Sequence, residues 1–184
     1  MREFEQPGRG NTAQTIEILK EGIKKYHINQ VVVASTYGDT GLAVARELNG
    51  CGVKIVVVTH NAGFKEPGQI EMTEDMRREI EALGARVHTG VMAFRNIGAA
   101  IRGKQGCSQE DLIANTLRLF GQGIKVCVEI ALMASDAGLI TPDDCLAMAG
   151  TGRGADTIAL IRPMPSNRLF DLKVRVILAK PMDW

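Results

Sequence analysis

The chain has 184 residues, 45% hydrophobic and 23% charged, and Lys+Arg 22 against Asp+Glu 21 leaves a formal net charge of +1. That length suits one domain able to bury its core without disulfides or metal. The balanced charge excludes a broad nucleic-acid or anionic-membrane surface but leaves room for a local basic pocket. No stretch reaches the ~18 apolar residues of a membrane span, and the first residues, Met1-Arg2-Glu3-Phe4, lack a signal-peptide pattern. A soluble, cytoplasmic protein is expected. The cysteines at 51, 107, 127 and 145 form no C-x-x-C pair and have no histidine at zinc-finger spacing. They are expected to be reduced and mostly buried, with no metal.

In chain order, Asn11-Thr12 precedes apolar positions 16, 18, 19 and 23, which predicts an N-capped helix over 12–27. The continuous apolar run 30–35 predicts a buried parallel strand. Helical spacing covers 39–49 and stops at Asn49-Gly50. A second buried strand is expected over 54–60, then a loop over 61–68. A charged helix over 73–83 stops at Gly84 before a strand over 85–89. Helices are expected over 93–103, 109–120 and 124–137, and strands over 143–149, 157–162 and 174–179. Alternating strands and helices predict βαβ units and an α/β fold, with ligands bound beyond the carboxyl ends of the strands. Those ends carry the segments that follow Ala34, Val58 and Ala149.

After the first strand comes Ser35-Thr36-Tyr37-Gly38-Asp39-Thr40. Three aliphatic hydroxyls, a glycine and a helix N-terminus are the parts of a phosphate cradle. The plainer reading is a turn in which Asp39 or Thr40 caps the helix. A second loop, Gly150-Thr151-Gly152-Arg153-Gly154, lets backbone approach a ligand and adds a forked cation; alternatively it is only a tight connection between strands. Thr59, His60, Asn61 and Gly63 follow the 54–60 strand and are candidates to line the same pocket. Glu129 interrupts an apolar helix. It either enters a pocket or turns to solvent on a polar stripe with Lys125. Residues 98–105 nearly spell a P-loop but lack its strand and its hydroxyl, so phosphate binding there is not expected. No nucleophile–base–acid order is defined by spacing.

The segments PGRGNT, ASTYGDT, THNAGF, KVCVEIALMASDAG and GRGADTIALIRP occur in this order across nearly the whole chain. Together they resemble the stand-alone family of proteins similar to the C-terminal α/β domain of pyruvate kinase. The resemblance implies a three-layer α/β/α sandwich with a mainly parallel sheet. Family members are associated with bound FMN, which implies FMN as the cofactor here. Ser35, Thr36, Gly38, Asp39 and Thr40 would surround its phosphate, flanked by Thr59, His60, Gly63, Gly152, Arg153 and Gly154. Pyruvate kinase activity itself is excluded, because the catalytic barrel has no counterpart in this sequence. Asp39 stands where effector-binding kinases often carry a basic residue or serine, which favours a flavin monophosphate over a sugar bisphosphate. Two readings follow: a flavin-binding protein whose cofactor supplies redox chemistry, or a non-catalytic sensor of a phosphorylated metabolite that reports through homo-oligomer contacts.

Overall fold

The computed structural model describes residues 1–184. Its sheet has seven strands in the order β1-β7-β6-β5-β2-β3-β4. They are β1 (Arg2–Phe4), β2 (Gln30–Ala34), β3 (Lys54–Val58), β4 (Arg86–His88), β5 (Cys145–Ala149), β6 (Thr157–Arg162) and β7 (Lys173–Pro181). Only β6 runs against its neighbours; the other pairings are parallel. The helices are α1 (Thr12–Tyr26), α2 (Asp39–Glu47), α3 (Glu74–Ala82), α4 (Asn96–Gln105), α5 (Gln109–Arg118) and α6 (Gln122–Asp136). None is long and apolar enough to cross a membrane.

Alternation along each strand splits the core into two. Val31, Val33, Val57 and Leu146 pack with α1, α2 and α3 on one face. Val32, Val56, Ala147 and Ala159 pack with α5 and α6 on the other. With both faces covered, the central strands must be apolar throughout, which is why they read as unbroken hydrophobic runs. The result is the expected three-layer α/β/α sandwich with a mainly parallel sheet. The chain passes from β2 outward through β3 and β4, then returns by α4, α5 and α6 to β5 on the other side of β2. The β2/β5 boundary is therefore the point where strand order reverses, and its carboxyl end is where a crevice opens.

Several local expectations change. Strand β1 has only three residues, too few to show a period in sequence, and it pairs β7 at Ala179–Pro181. Asn11 does not cap α1; its side-chain amide donates instead to Gln6 O. Capping by side-chain oxygens occurs at Thr73 for α3 and Ser108 for α5. Strand β3 stops at Val58, so His60 lies on the following loop. Only half of the thiols are buried: Cys127 and Cys145 are sealed in the core, whereas Cys51 and Cys107 are exposed. Cys51 and Cys107 sit in short polar connections, not in the apolar flanks that surround the other two. Burial pushes the Cys145 thiol up to about 12 and the Cys127 thiol higher still. A thiol-reactive dye under native conditions is therefore expected to label Cys51 and Cys107 quickly, and the core pair only on unfolding.

Candidate functional site

The crevice at the switch point has two adjoining lobes. Both are lined by Ala34, Ser35 and Thr36 at the end of β2, by His60 and Phe64 after β3, and by Gln122 and Val126 of α6. The outer lobe, about 280 Å³, adds Tyr37, Asp39, Thr40 and the loop residues Gly150, Gly152, Arg153 and Gly154. The inner lobe, about 170 Å³, runs along α6 past Lys125 and Glu129 toward Met92, Phe94 and Arg95. The rings of His60 and Phe64, stacked with centroids 3.8 Å apart, stand where the lobes meet.

The turn after β2 is built by one hydroxyl and one glycine. Ser35 Oγ accepts from the Gly41 N–H at 3.0 Å, so Ser35, and neither Asp39 nor Thr40, satisfies the first turn of α2. Gly38 has φ +98°, and a Cβ there would lie 2.1 Å from Met76 Cγ, so only glycine fits between this turn and α3. The Asp39 and Thr40 amides then donate to no protein acceptor and remain available at a helix N-terminus. The Asp39 carboxylate turns away to Arg153 at 3.2 Å and Arg9 at 3.9 Å. Arg153 also lies over the Tyr37 ring at 4.4 Å, bringing the two glycine-bearing turns together across the outer lobe.

The second loop has two structural roles. It is the tight connection between antiparallel β5 and β6, and it is also a wall of the outer lobe. Its shape depends on Asp156, which the sequence reading did not single out. The Asp156 carboxylate is fully buried and accepts from the amides of Gly8 (2.8 Å) and Thr151 (3.0 Å) and from the Thr157 hydroxyl (2.7 Å). Gly152 has φ +82° with open space around its α-carbon, so an added Cβ would strain the backbone without a clash. Gly154 is closed to a side chain: a Cβ would come within 2.6 Å of Arg9 Cα.

Thr59, His60 and Glu129 line the crevice, but Asn61 and Gly63 do not. Those two belong to the loop closed by the Gly63 N–H bond to Gln69 O, and the Asn61 amide donates only to Ala62 O. Thr151 lines neither lobe; its hydroxyl is buried without a partner. Thr59 Oγ1 lies 2.7 Å from Thr89 Oγ1, tying the ends of β3 and β4. Thr36 Oγ1 lies 3.3 Å from His60 Nε2, while His60 Nδ1 is buried with no partner. Burial lowers the His60 pKa below its ordinary 6.5, against the pull of the Glu71 carboxylate. Glu129 is not on a solvent stripe. It is 2% exposed, paired with Lys125, and accepts the Phe94 N–H at 2.9 Å. Burial also lowers the Lys125 pKa, with Glu129 opposing the shift. The spacing of Gln122, Lys125 and Glu129, three and then four apart, puts them on one helical face, a signal that could have located this wall.

No family model matches the chain. Over 125 residues it is 34% identical to a protein pelota homolog of Hyperthermus butylicus, covering 67% of this chain. The chain spans only 32% of that curated relative's length. Among solved structures it is similar to a pyruvate kinase from Cryptosporidium parvum, at 14% identity and TM-score 0.40, over 78% of this chain and 21% of that one. It is also similar to an O-ureido-L-serine synthase, at 19% identity and TM-score 0.32, over 60% of this chain and 28% of that one. Neither structural likeness bears on function.

Two outcomes follow from the buried groups. Glu129→Ala leaves Lys125 without its counter-charge and should cost about 3–5 kcal/mol, whereas the double change Lys125→Met with Glu129→Leu should recover most of it; urea denaturation of the three proteins measures both. Because the folded pKa of His60 lies below the unfolded one, the unfolded state takes up the proton first. Its contribution is therefore complete above 6.5 and is lost as pH falls through the lowered value. His60→Phe should flatten that acid limb of stability against pH.

Proposed function

We propose that the chain is a stand-alone relative of the pyruvate kinase C-terminal domain that binds a small phosphorylated ligand, FMN first among them, in the outer lobe. The observation that carries this reading is the meeting of the free Asp39 and Thr40 amides with Arg153 in one recess. Amides at a helix N-terminus hold an anion by their N–H groups and the helix dipole, and a guanidinium adds a forked donor. Thr36 and Thr40 offer hydroxyls beside them, and Tyr37, His60 and Phe64 offer ring faces to a planar group. FMN, when bound, supplies hydride or single-electron chemistry; the chain's own part is to hold its phosphate and cover its ring. The four unpaired thiols support a reducing, cytoplasmic setting.

The Asp39–Arg153 pair supports a second reading. An anion that draws Arg153 away from Asp39 would loosen the contact between the two turns, the kind of change a non-catalytic sensor uses. Both readings are tested by the visible spectrum of the purified protein and by titration with FMN and riboflavin. Flavin binding gives the oxidised-flavin band at about 450 nm. If the outer lobe holds the phosphate, FMN should bind at least about tenfold more tightly than riboflavin, and Arg153→Ala should remove most of that difference. Equal affinity for the two flavins would end the phosphate assignment. Tight binding of a sugar phosphate in place of FMN would favour the sensor.

A further inference from the structure

The inner lobe carries more positive charge than its own carboxylates balance. Arg95, Arg102, Arg118 and Lys125 line it, against Asp111 and Glu129. Arg102 is matched by Asp111 at 2.7 Å, and Lys125 by Glu129. Arg118 finds only neutral oxygens, those of Gln122 and Asn115, each at 2.7 Å. Arg95 has no carboxylate partner at all; its guanidinium lies 4.3 Å from the Phe64 ring centroid. Two guanidiniums are thus left facing one recess without counter-charges. Their mutual field reaches Lys125, whose ammonium is disfavoured first by burial and further by Arg118 and Arg95. His60, on the same wall, adds a buried Nδ1 that no protein group satisfies. A bound anion supplies the counter-charge that the two guanidiniums lack, and His60 Nδ1 can donate to it in the tautomer whose Nε2 accepts from Thr36.

The rest of the lining decides which anion. Met92, Phe94, Ile130 and Met133 are apolar, and the Glu129 carboxylate on the same helix repels a second negative charge. A single carboxylate suits a guanidinium fork, because its two oxygens match two parallel N–H donors. The apolar residues then suit a short hydrocarbon tail, and a lobe of about 170 Å³ is sized for a small molecule. We propose that the inner lobe is a subsite for a small organic monocarboxylate, held by Arg95 and Arg118. It lies next to the phosphate site, and it rests on the preceding reading only for the identity of its neighbouring ligand.

The test uses butyrate, its neutral isostere butyramide, and inorganic phosphate. Each is titrated by protein NMR against the unmodified chain and against Arg95→Gln, Arg118→Gln, Arg118→Lys and Arg153→Gln. Butyrate is expected to bind at least about tenfold more tightly than butyramide, and Arg95→Gln or Arg118→Gln to weaken it about tenfold, with Arg118→Lys in between. Phosphate affinity should follow Arg153→Gln instead. Arg95 is exposed and its side chain makes no hydrogen bond, so Arg95→Gln keeps the test sound even if the Arg118 variants melt early. Butyrate binding no tighter than butyramide, or unmoved by Arg95→Gln, overturns the subsite. Loss of phosphate binding alone, with butyrate still governed by Arg95, removes the outer-lobe reading and leaves the subsite standing.

Discussion

Everything at the carboxyl edge of the sheet depends on the position of β2. The strand lies between β5 and β3 with Val31, Val32 and Val33 sealed from both sides. Beyond Gln30, which opens the strand and is satisfied by Thr141 and Asp143, helices on both faces leave no room for a polar side chain until the strand ends. Chemistry can therefore begin only at Ser35, and it begins next to the end of β5, where the chain reverses its direction of travel across the sheet. The two glycine-bearing turns are far apart in sequence, yet they face each other because β2 and β5 are paired in register, Val31 with Leu146 and Val33 with Met148.

The turns are held in place by buried charge. Asp156 gathers the Gly8 and Thr151 amides, so one carboxylate fixes both the N-terminal loop and the wall of the outer lobe. A buried carboxylate is tolerated where several donors replace its water, and Asp156 has three. Glu129 meets the same requirement with Lys125 and the Phe94 amide. The crevice thus has one wall set by backbone amides and another by an ion pair, and each lobe keeps a cation that its nearest carboxylates only partly balance. Both proposals of an anionic ligand rest on that arrangement.

Most of the candidate site was legible in outline. Ser35, Thr36, Tyr37, Asp39, Thr40, Thr59, His60, Gly152, Arg153 and Gly154 reach the crevice because they lie just past the ends of buried strands, and Glu129 reaches it from α6; Gly38 and Thr151 line neither lobe. Two further candidates stay outside the crevice. Asn61 and Gly63 lie one and three residues beyond His60, and the loop bends away within that distance through the Gly63–Gln69 hydrogen bond. Arg95, Arg102 and Arg118 come from α4, α5 and their flanks, whose path over the second face leaves no trace in local sequence.

The sequence by itself determined the helices and every strand but β1, and their order: unbroken apolar runs must be strands buried on two sides, and periodic apolar faces must be helices packed on them. Covering both faces of a parallel sheet then dictated three layers, with polar loops at the strand ends. Tertiary structure alone decided which charges meet. Whether Lys125 and Glu129 point to water or into the protein, whether Asp39 caps its helix or reaches Arg153, and which arginines remain unpaired all turn on distances of a few ångströms between elements remote in sequence. Electrostatic energy depends on those separations and on the water excluded around them, and neither quantity is written in the order of the residues.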